Sequence, residues 1–455
     1  MLTRRDTLRL FALATLATSS SAALAACSGG DDGGDGGGTG GGADGAGLKL
    51  AASDVERSAG TPAAIPDVVT GMHEFAGGLF GRLATKKGNL ALSPYSVAVA
   101  LGMTLNGARG ATAAEMRTVL GVADTARFNG GLNALTRVVE GLAGPAKRAD
   151  GSAAEVALDA ANALFGDRST PWAPAFLDTL AREYGAGMRT VDFIKHTEEA
   201  RTLINGWTAD RTHDKIPEII PEGILDALTR LVLVNALYFK APWEVPFEKS
   251  MTAKRPFRFD DGTTTKVDTM SAQLGAAGHG RGEGWQAVRL PYAGSTLAMT
   301  VIVPADPPHS VPAGYSTLER IESDVTAGKL PTMLAAIKPG GVALTMPKWT
   351  FRTDSSLKPA LMALGMPTAF GDTADFSAMT TDDTALLIKA VLHQTFVAVD
   401  EEGTEAAAAT AVVMGETSMP IYEQVVVDRP FLFVIHDVEH GTPLFLGRVA
   451  DPTSA

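Results

Sequence analysis

The stretch FVAVDEEGTEAAAATAVVMGETSMPIY, residues 396–422, begins as a strand and then departs from the turn that a strand should lead into. Phe396–Val399 alternates as a half-buried strand does, and a turn is expected after it. Instead the chain runs through Gly403 into almost only small residues, with no proline until Pro420. About twenty residues of this kind are long for a loop inside a compact domain, and such loops are normally functional or disordered. With period two from Thr404, one face carries Thr404, Ala406, Ala408, Thr410 and Val412. The other carries Glu405, Ala407, Ala409, Ala411 and Val413. The first face has no charge and no large side chain, so the segment can slide between two strands of an existing sheet without steric cost. Taken alone, the composition of 405–413 also suits a helix or a linker, because alanine is the best helix former.

Outward from this stretch, the second half of the chain is strand-rich. Pro256–Phe259, Lys266–Met270, Trp285–Pro291, Leu297–Val303, Val342–Pro347 and Leu386–Val399 have strand composition broken by Gly and Pro, with one helix at Ser355–Leu364. Glu423–Val427, Pro430–His436 and Leu444–Val449 read as three further strands, the last two joined by a hairpin at Val438–Pro443. Arg230–Phe239, RLVLVNALYF, has the β-branched and aromatic run of a buried strand. Toward the N-terminus the pattern turns helical. Val68, Met72, Phe75, Leu79 and Leu83 recur at helical spacing, so Pro66–Ala84 is an amphipathic helix with a first-turn proline. Residues 89–122 read as a short strand, an apolar helix from near Pro94, a turn at Gly107 and Gly110, and another helix. Ala153–Phe165 suggests a strand, and Pro171–Ala186 and Thr197–Arg211 suggest helices. Helices first, strands later and no βαβ alternation argue α+β with large antiparallel or mixed sheets.

Residues 1–26, MLTRRDTLRLFALATLATSSSAALAA, have the charge, apolar and small-residue order of an export signal. Its apolar run is too short to span a bilayer. Thr3–Arg9 resembles a twin-arginine signal, and Leu24-Ala25-Ala26-Cys27 resembles a bacterial lipobox, in which Cys27 is lipidated. The other reading is an ordinary secretory signal with a chance cysteine. Residues 28–47 are low-complexity Gly and Asp and cannot build a core, so they read as a flexible tether. The expected organisation is a signal over 1–26, lipidated Cys27 and tether over 27–64, and one folded domain over 65–455. The protein is then exported and held on a membrane surface, facing the periplasm or the exterior.

The chain has 455 residues, 45% hydrophobic and 20% charged, which excludes a disordered, collagenous or coiled-coil chain. Its net charge of −12 argues against nucleic acid as a partner. One cysteine excludes an intrachain disulfide, so stability must come from a large core. There is no G-x-S-x-G elbow, H-E-x-x-H or P-loop, and the eight histidines lack ligand spacing, so neither a catalyst nor a metal site is expected.

Five motifs in order resemble the serpin family of serine protease inhibitors, over roughly 65–453. They are Leu92-Ser93-Pro94-Tyr95-Ser96, Asn235–Trp243 followed by Pro246-Phe247, Glu401–Ala409, Asp428–Phe433, and Leu444–Val449. His393 lies ten residues before Gly403, as the family's shutter histidine does. The resemblance implies a serpin fold: a large central sheet, two further sheets, about nine helices and an exposed reactive-centre loop. It also implies a suicide substrate and not an enzyme. A serine protease, or a cysteine protease, attacks the loop and forms an acyl-enzyme. The cut loop then inserts into the central sheet and drags the protease with it. About 15 inserted residues at ~3.3 Å each span about 50 Å.

By resemblance the hinge is Glu401, Gly403, Thr404, Glu405, Ala406, Ala407, Ala408 and Ala409. The latch under the central strands is Ser93, Ser96, Asn235 and His393, and Trp243 lies where the loop enters the sheet. The plainer reading of His393 is a satisfied buried histidine, and of Trp243 core packing. Counting fourteen residues from Gly403 places the reactive bond at Thr417-Ser418; counting back from Pro430 places it near Met419-Pro420. The window 414–419 holds no Arg or Lys, which favours an elastase- or subtilisin-like target over a trypsin-like one. No cofactor is implied: a polyanion needs a basic face, and residues 136–150 offer only Arg137, Lys147 and Arg148. The protein is expected to act as a monomer. The alternative is a serpin-fold binding or surface module that does not inhibit, although such members tend to carry charged or bulky hinge residues.

Overall fold

The computed structural model describes residues 47–305, 318–404 and 422–454. Among them are nine α-helices: α1 (Ile65–Leu83), α2 (Pro94–Leu105), α3 (Gly110–Leu120), α4 (Thr125–Glu140), α5 (Pro174–Tyr184), α6 (Thr197–Arg211), α7 (Leu318–Thr326), α8 (Leu330–Ala335) and α9 (Lys358–Leu364). The strands of the first half are β1 (Lys49–Ala51), β2 (Leu90–Leu92), β3 (Gly144–Lys147), β4 (Ala153–Asp167), β5 (Met188–Val191) and β6 (Leu231–Pro242). Then come β7 (Ala253–Arg258), β8 (Thr264–Leu274), β9 (Gly278–Gly282), β10 (Trp285–Pro291), β11 (Leu297–Pro304), β12 (Lys338–Pro339) and β13 (Val342–Pro347). The rest are β14 (Trp349–Ser356), β15 (Ala390–Val399), β16 (Gly403–Thr404), β17 (Glu423–Val426), β18 (Phe431–Asp437) and β19 (Pro443–Val449).

Three sheets organise these strands. The central sheet runs β1-β5-β4-β6-β16-β15-β14, with β3 paired to β4. The second runs β12-β9-β10-β11-β18-β19-β2, and the third β17-β13-β8-β7. This is the mixed α+β architecture expected. β6 explains the continuous apolar run LVLVNALYF: both of its faces are covered. Leu231, Leu233, Leu237 and Phe239 join the large core shared with the second sheet. Val232, Val234 and Ala236 face a smaller core that includes Ala200 and Ile204 of α6. α2 is buried along its whole length, which is why its sequence is apolar all round. Ser93 caps it by accepting the Ser96 N–H at 3.2 Å, with Pro94 in the first turn.

The structure differs from the sequence reading in several places. The strand expected over 386–399 begins only at Ala390; Leu386 and Ile388 are buried without pairing into it. Ser355 and Ser356 end β14 and do not start a helix, and α9 begins at Lys358. β14 is an edge strand absent from the sequence reading, although it alternates buried and exposed residues with polar side chains outward. α7 and α8 lie in the half where one helix was expected; they span 9 and 6 residues, too short to show a clear helical period. Packed structure also starts before residue 65. β1 pairs antiparallel with β5, Ser58 donates its N–H to the Arg182 carbonyl at 2.8 Å, and Arg57 pairs with Glu140 at 2.9 Å. These residues are held by backbone pairing and polar contacts, which leave no hydrophobic periodicity to read.

Candidate functional site

The central sheet is parted at one end. β6 and β15 pair directly and in parallel only from Val232–Ala390 to Leu237–Thr395. Beyond that level β16 lies between them, antiparallel to both: Gly403 faces Pro242, and Thr404 faces Ala241 on one side and Val399 on the other. Gly403 is required here by close approach. Its φ is +152°, and a Cβ would run into the Ala241 carbonyl oxygen and the Pro242 Cα. Thr404 points inward, 1% exposed, and its Oγ1 is 2.7 Å from the Tyr292 hydroxyl. Burial pushes the Tyr292 phenol pKa far up, although the Thr404 contact opposes this, so the hydroxyl keeps its proton.

The turn before β16 is fastened by the chain that leaves β6. Trp243 donates its indole Nε1–H to the Asp400 carbonyl at 3.0 Å and its backbone N–H to the Glu402 carbonyl at 2.8 Å. Phe247 donates its N–H to the Glu401 carbonyl at 2.8 Å. Trp243 is buried and stacks on Tyr292 at 4.7 Å between ring centroids. Glu401 is 4% exposed; Lys348 Nζ and Thr252 Oγ1 each lie 2.7 Å from its carboxylate. Burial raises the Glu401 pKa, but hydrogen bonds from Lys348 and Thr252 outweigh it and hold the carboxyl below its ordinary value. Lys249 pairs with Glu402 at 3.3 Å.

A polar row crosses the same sheet below the opening. Asn162 of β4 faces Asn235 of β6, which faces His393 of β15. Asn235 donates Nδ2–H to Asn162 Oδ1 and to Ser96 Oγ, both at 2.6 Å. Ser96 donates its hydroxyl to Asn162 Oδ1 at 2.5 Å. The Ser93 backbone N–H donates to His393 Nε2 at 2.9 Å, so the ring proton sits on Nδ1 and is donated to Asn235 Oδ1 at 2.5 Å. Burial lowers the His393 pKa to about 4, despite the backbone contact with Asn235, which raises it; the ring is neutral at pH 7. Ser93, Ser96, Asn235 and His393 therefore form one buried network tying α2 to adjacent strands.

The sequence reading brought Glu401, Gly403, Thr404 and Trp243 together at the opening, and Ser93, Ser96, Asn235 and His393 in the row beneath it. It missed Asn162, Tyr292, Lys348, Thr252 and Lys249. Asn162 left a signal, a lone amide within the apolar strand AANALF; the others look like ordinary surface or strand residues. Cys27, Glu405, Ala406, Ala407, Ala408, Ala409, Thr417 and Ser418 lie outside the described residues. Among the described residues no group of three or more His, Cys, Asp or Glu can hold a metal, and no helix is long and apolar enough to cross a membrane.

The family model described as serpin (serine protease inhibitor) matches residues 70–452. The chain belongs to the serpin family, which comprises protease inhibitors and not catalysts. It is 34% identical over 371 residues to the leukocyte elastase inhibitor of Bos taurus, covering 80% of this chain and 93% of that one. It is also 34% identical over 393 residues to an uncharacterized serpin-like protein of Thermococcus kodakarensis, covering 85% and 86%. Among solved structures it resembles the native state of the thermophilic serpin tengpin, with a TM-score of 0.73 and 27% identity, covering 84% of this chain and 94% of that one.

Proposed function

We propose that this serpin is a suicide-substrate inhibitor of serine proteases, which traps the acyl-enzyme by drawing its cut loop into the central sheet. The observation that carries this reading is the register of β16. Thr404 pairs with Ala241 and Val399 at once. Continued antiparallel in that register, residue 410 reaches the level of Asn235 and His393, and residue 413 reaches Val232 and Ala390 together. Residues 405–413 thus match the length of the direct β6–β15 ladder and the parted region above it. The residues that would share the inward face with Thr404 are Ala406, Ala408, Thr410 and Val412, all small enough to be buried there. Insertion exchanges one parallel ladder for two antiparallel ones and breaks the contact from His393 to Asn235. The native chain is then the metastable form, and the cut, inserted chain the stable one.

The reactive bond is Thr417-Ser418 within the window 414–419, and the target is elastase- or subtilisin-like. Relatives named leukocyte elastase inhibitors support that choice, as does the absence of Arg and Lys from the window. The protein acts as a monomer, is exported by residues 1–26, and is held on a membrane surface through lipidated Cys27. Fatty-acid labelling that persists in Cys27→Ser would remove that anchor.

Calorimetry before and after limited proteolysis tests the insertion. A cut in an ordinary loop leaves stability equal or lower, because it frees chain entropy. A cut at 414–419 should instead raise the midpoint sharply. An unchanged or lower midpoint would favour a serpin-fold module that does not inhibit.

A further inference from the structure

Exposed apolar side chains collect at the end of the central sheet opposite the opening. Leu228 is 81% exposed, and Ile194 and Ile224 are exposed as well. Ile224 and Leu228 lie in the chain that leads into β6, and Ile194 lies three residues after β5. These segments converge on the end of β4. Asp167 donates its N–H to the Arg230 carbonyl at 2.9 Å, Arg168 donates to the Val191 carbonyl at 2.8 Å, and the Asp167 carboxylate accepts the Phe193 N–H at 3.0 Å. Phe193 and Leu225, next to Ile194 and Ile224 in the chain, are buried together in the smaller core, with Leu48 packed against it. The core thus holds one side of each segment and leaves Ile194, Ile224 and Leu228 in water. Single exposed apolar residues need no explanation, but a group of them at one pole is the mark of a contact face.

The N-terminal segment enters the domain at this same pole. Leu50 of β1, 57% exposed, faces Arg189 of β5, which faces Phe165 of β4, which faces Val232 near the start of β6. The Arg168 guanidinium donates to the Gly47 carbonyl. The Gly- and Asp-rich residues that precede Gly47 therefore join the domain beside the exposed apolar group. Lys49 and Lys195 are exposed there. The nearby acids are largely answered: Asp226 pairs with Lys389, Glu222 lies 3.8 Å from Arg201, and Asp192 accepts the Lys195 backbone N–H at 2.8 Å. Apolar side chains flanked by lysine suit the boundary between anionic headgroups and acyl chains. The sheet opening lies about 30 Å away along β6, from Val232 to Ala241, on the side that would face solvent. Insertion would bring a bound protease to the lipid-facing pole, so docking belongs to the uncut chain.

We propose that Leu50, Ile194, Ile224 and Leu228, flanked by Lys49 and Lys195, form a lipid-docking face that lays the domain on the membrane to which Cys27 ties it. This rests on the anchor proposed at Cys27, and the test supplies that anchor chemically so that the two fail separately. Cys27 is the only cysteine, so the full chain is coupled through it to a maleimide-bearing lipid in vesicles of phosphatidylglycerol and phosphatidylcholine. The same chain coupled to a soluble maleimide is the comparison. Hydrogen exchange is then measured peptide by peptide. Exchange over 192–195 and 222–229 should slow roughly tenfold on vesicles, since burying one leucine or isoleucine is worth about that factor or more. Peptides over 245–251, which carry the exposed Val245 and Met251 at the other end of the sheet, should not change. Ile224→Ser with Leu228→Ser should restore the soluble rate, and Val245→Ser should leave the slowing intact. All three side chains are exposed, so these variants keep their core. Equal exchange on vesicles and in solution, equal slowing at 222–229 and 245–251, or slowing that survives the double change each overturns the docking face. Fatty-acid labelling decides the anchor at Cys27 independently of these results.

Discussion

Tyr292→Phe removes one oxygen from the parted sheet and should loosen the docked hinge by a predictable amount. Tyr292 is 0% exposed and Thr404 1% exposed, and their hydroxyls lie 2.7 Å apart. Deleting the Tyr292 hydroxyl leaves Thr404 Oγ1 buried without that partner, which costs about 1–3 kcal/mol. Thr404→Val deletes the other end at nearly constant volume and orphans the Tyr292 hydroxyl at a similar cost. The double variant removes both groups, so its cost should be close to that of a single one, with a coupling of about 1–3 kcal/mol. The native form of an inserting chain is defined by a barrier, so unfolding rates in denaturant are the proper assay. Each single change should speed unfolding roughly 5- to 150-fold if the contact is broken in the transition state, and the double no more than the worse single. Strictly additive rates would mean that the two hydroxyls do not meet in solution, and that Thr404 is not seated between β6 and β15.

Acid should weaken the closed sheet. His393 and His436 are both held near pKa 4 by burial, below the ordinary 6.5. The unfolded chain therefore takes up protons first. Stability is fully present above pH 6.5 and is lost as pH falls toward 4, by about 3 kcal/mol per histidine. Denaturation midpoints measured from pH 7.5 to 4 should fall over that window, and His393→Gln should flatten the fall by about half; an unchanged slope would place His393 outside the titration. Thr404→Arg should turn the inhibitor into a substrate, because an unpaired guanidinium in that buried position costs several kcal/mol and stalls insertion. The stoichiometry of inhibition reads this directly, and an unchanged value would show that the register is misassigned.

Much of this arrangement could be read from residues, and the parts that could not have a physical reason. The buried strand at 230–239 and the helix from Pro94 came from composition, since a strand covered on both faces and a fully buried helix leave apolar runs. The inward face beginning at Thr404 came from period two, because a strand alternates whether it is already paired or only able to pair. Ser93, Ser96, Asn235 and His393 came together only through resemblance; nothing local says that residues 93, 235 and 393 meet. Asn162, Tyr292 and Lys348 escaped because their roles arise from cross-strand register and from a turn of another sheet, which are long-range facts. α7 and α8 escaped because very short helices carry weak periodic signals; β14 alternates over Trp349–Ser356 and was legible.

The most direct measurement mixes the chain with elastase- and subtilisin-like serine proteases and resolves the products on denaturing gels after boiling. Trapping by loop insertion predicts a band at the summed mass of protease and inhibitor, less the short peptide beyond the cut bond, with protease activity lost in proportion. Loop cleavage with full recovery of protease activity across the panel, and no such band, would contradict it.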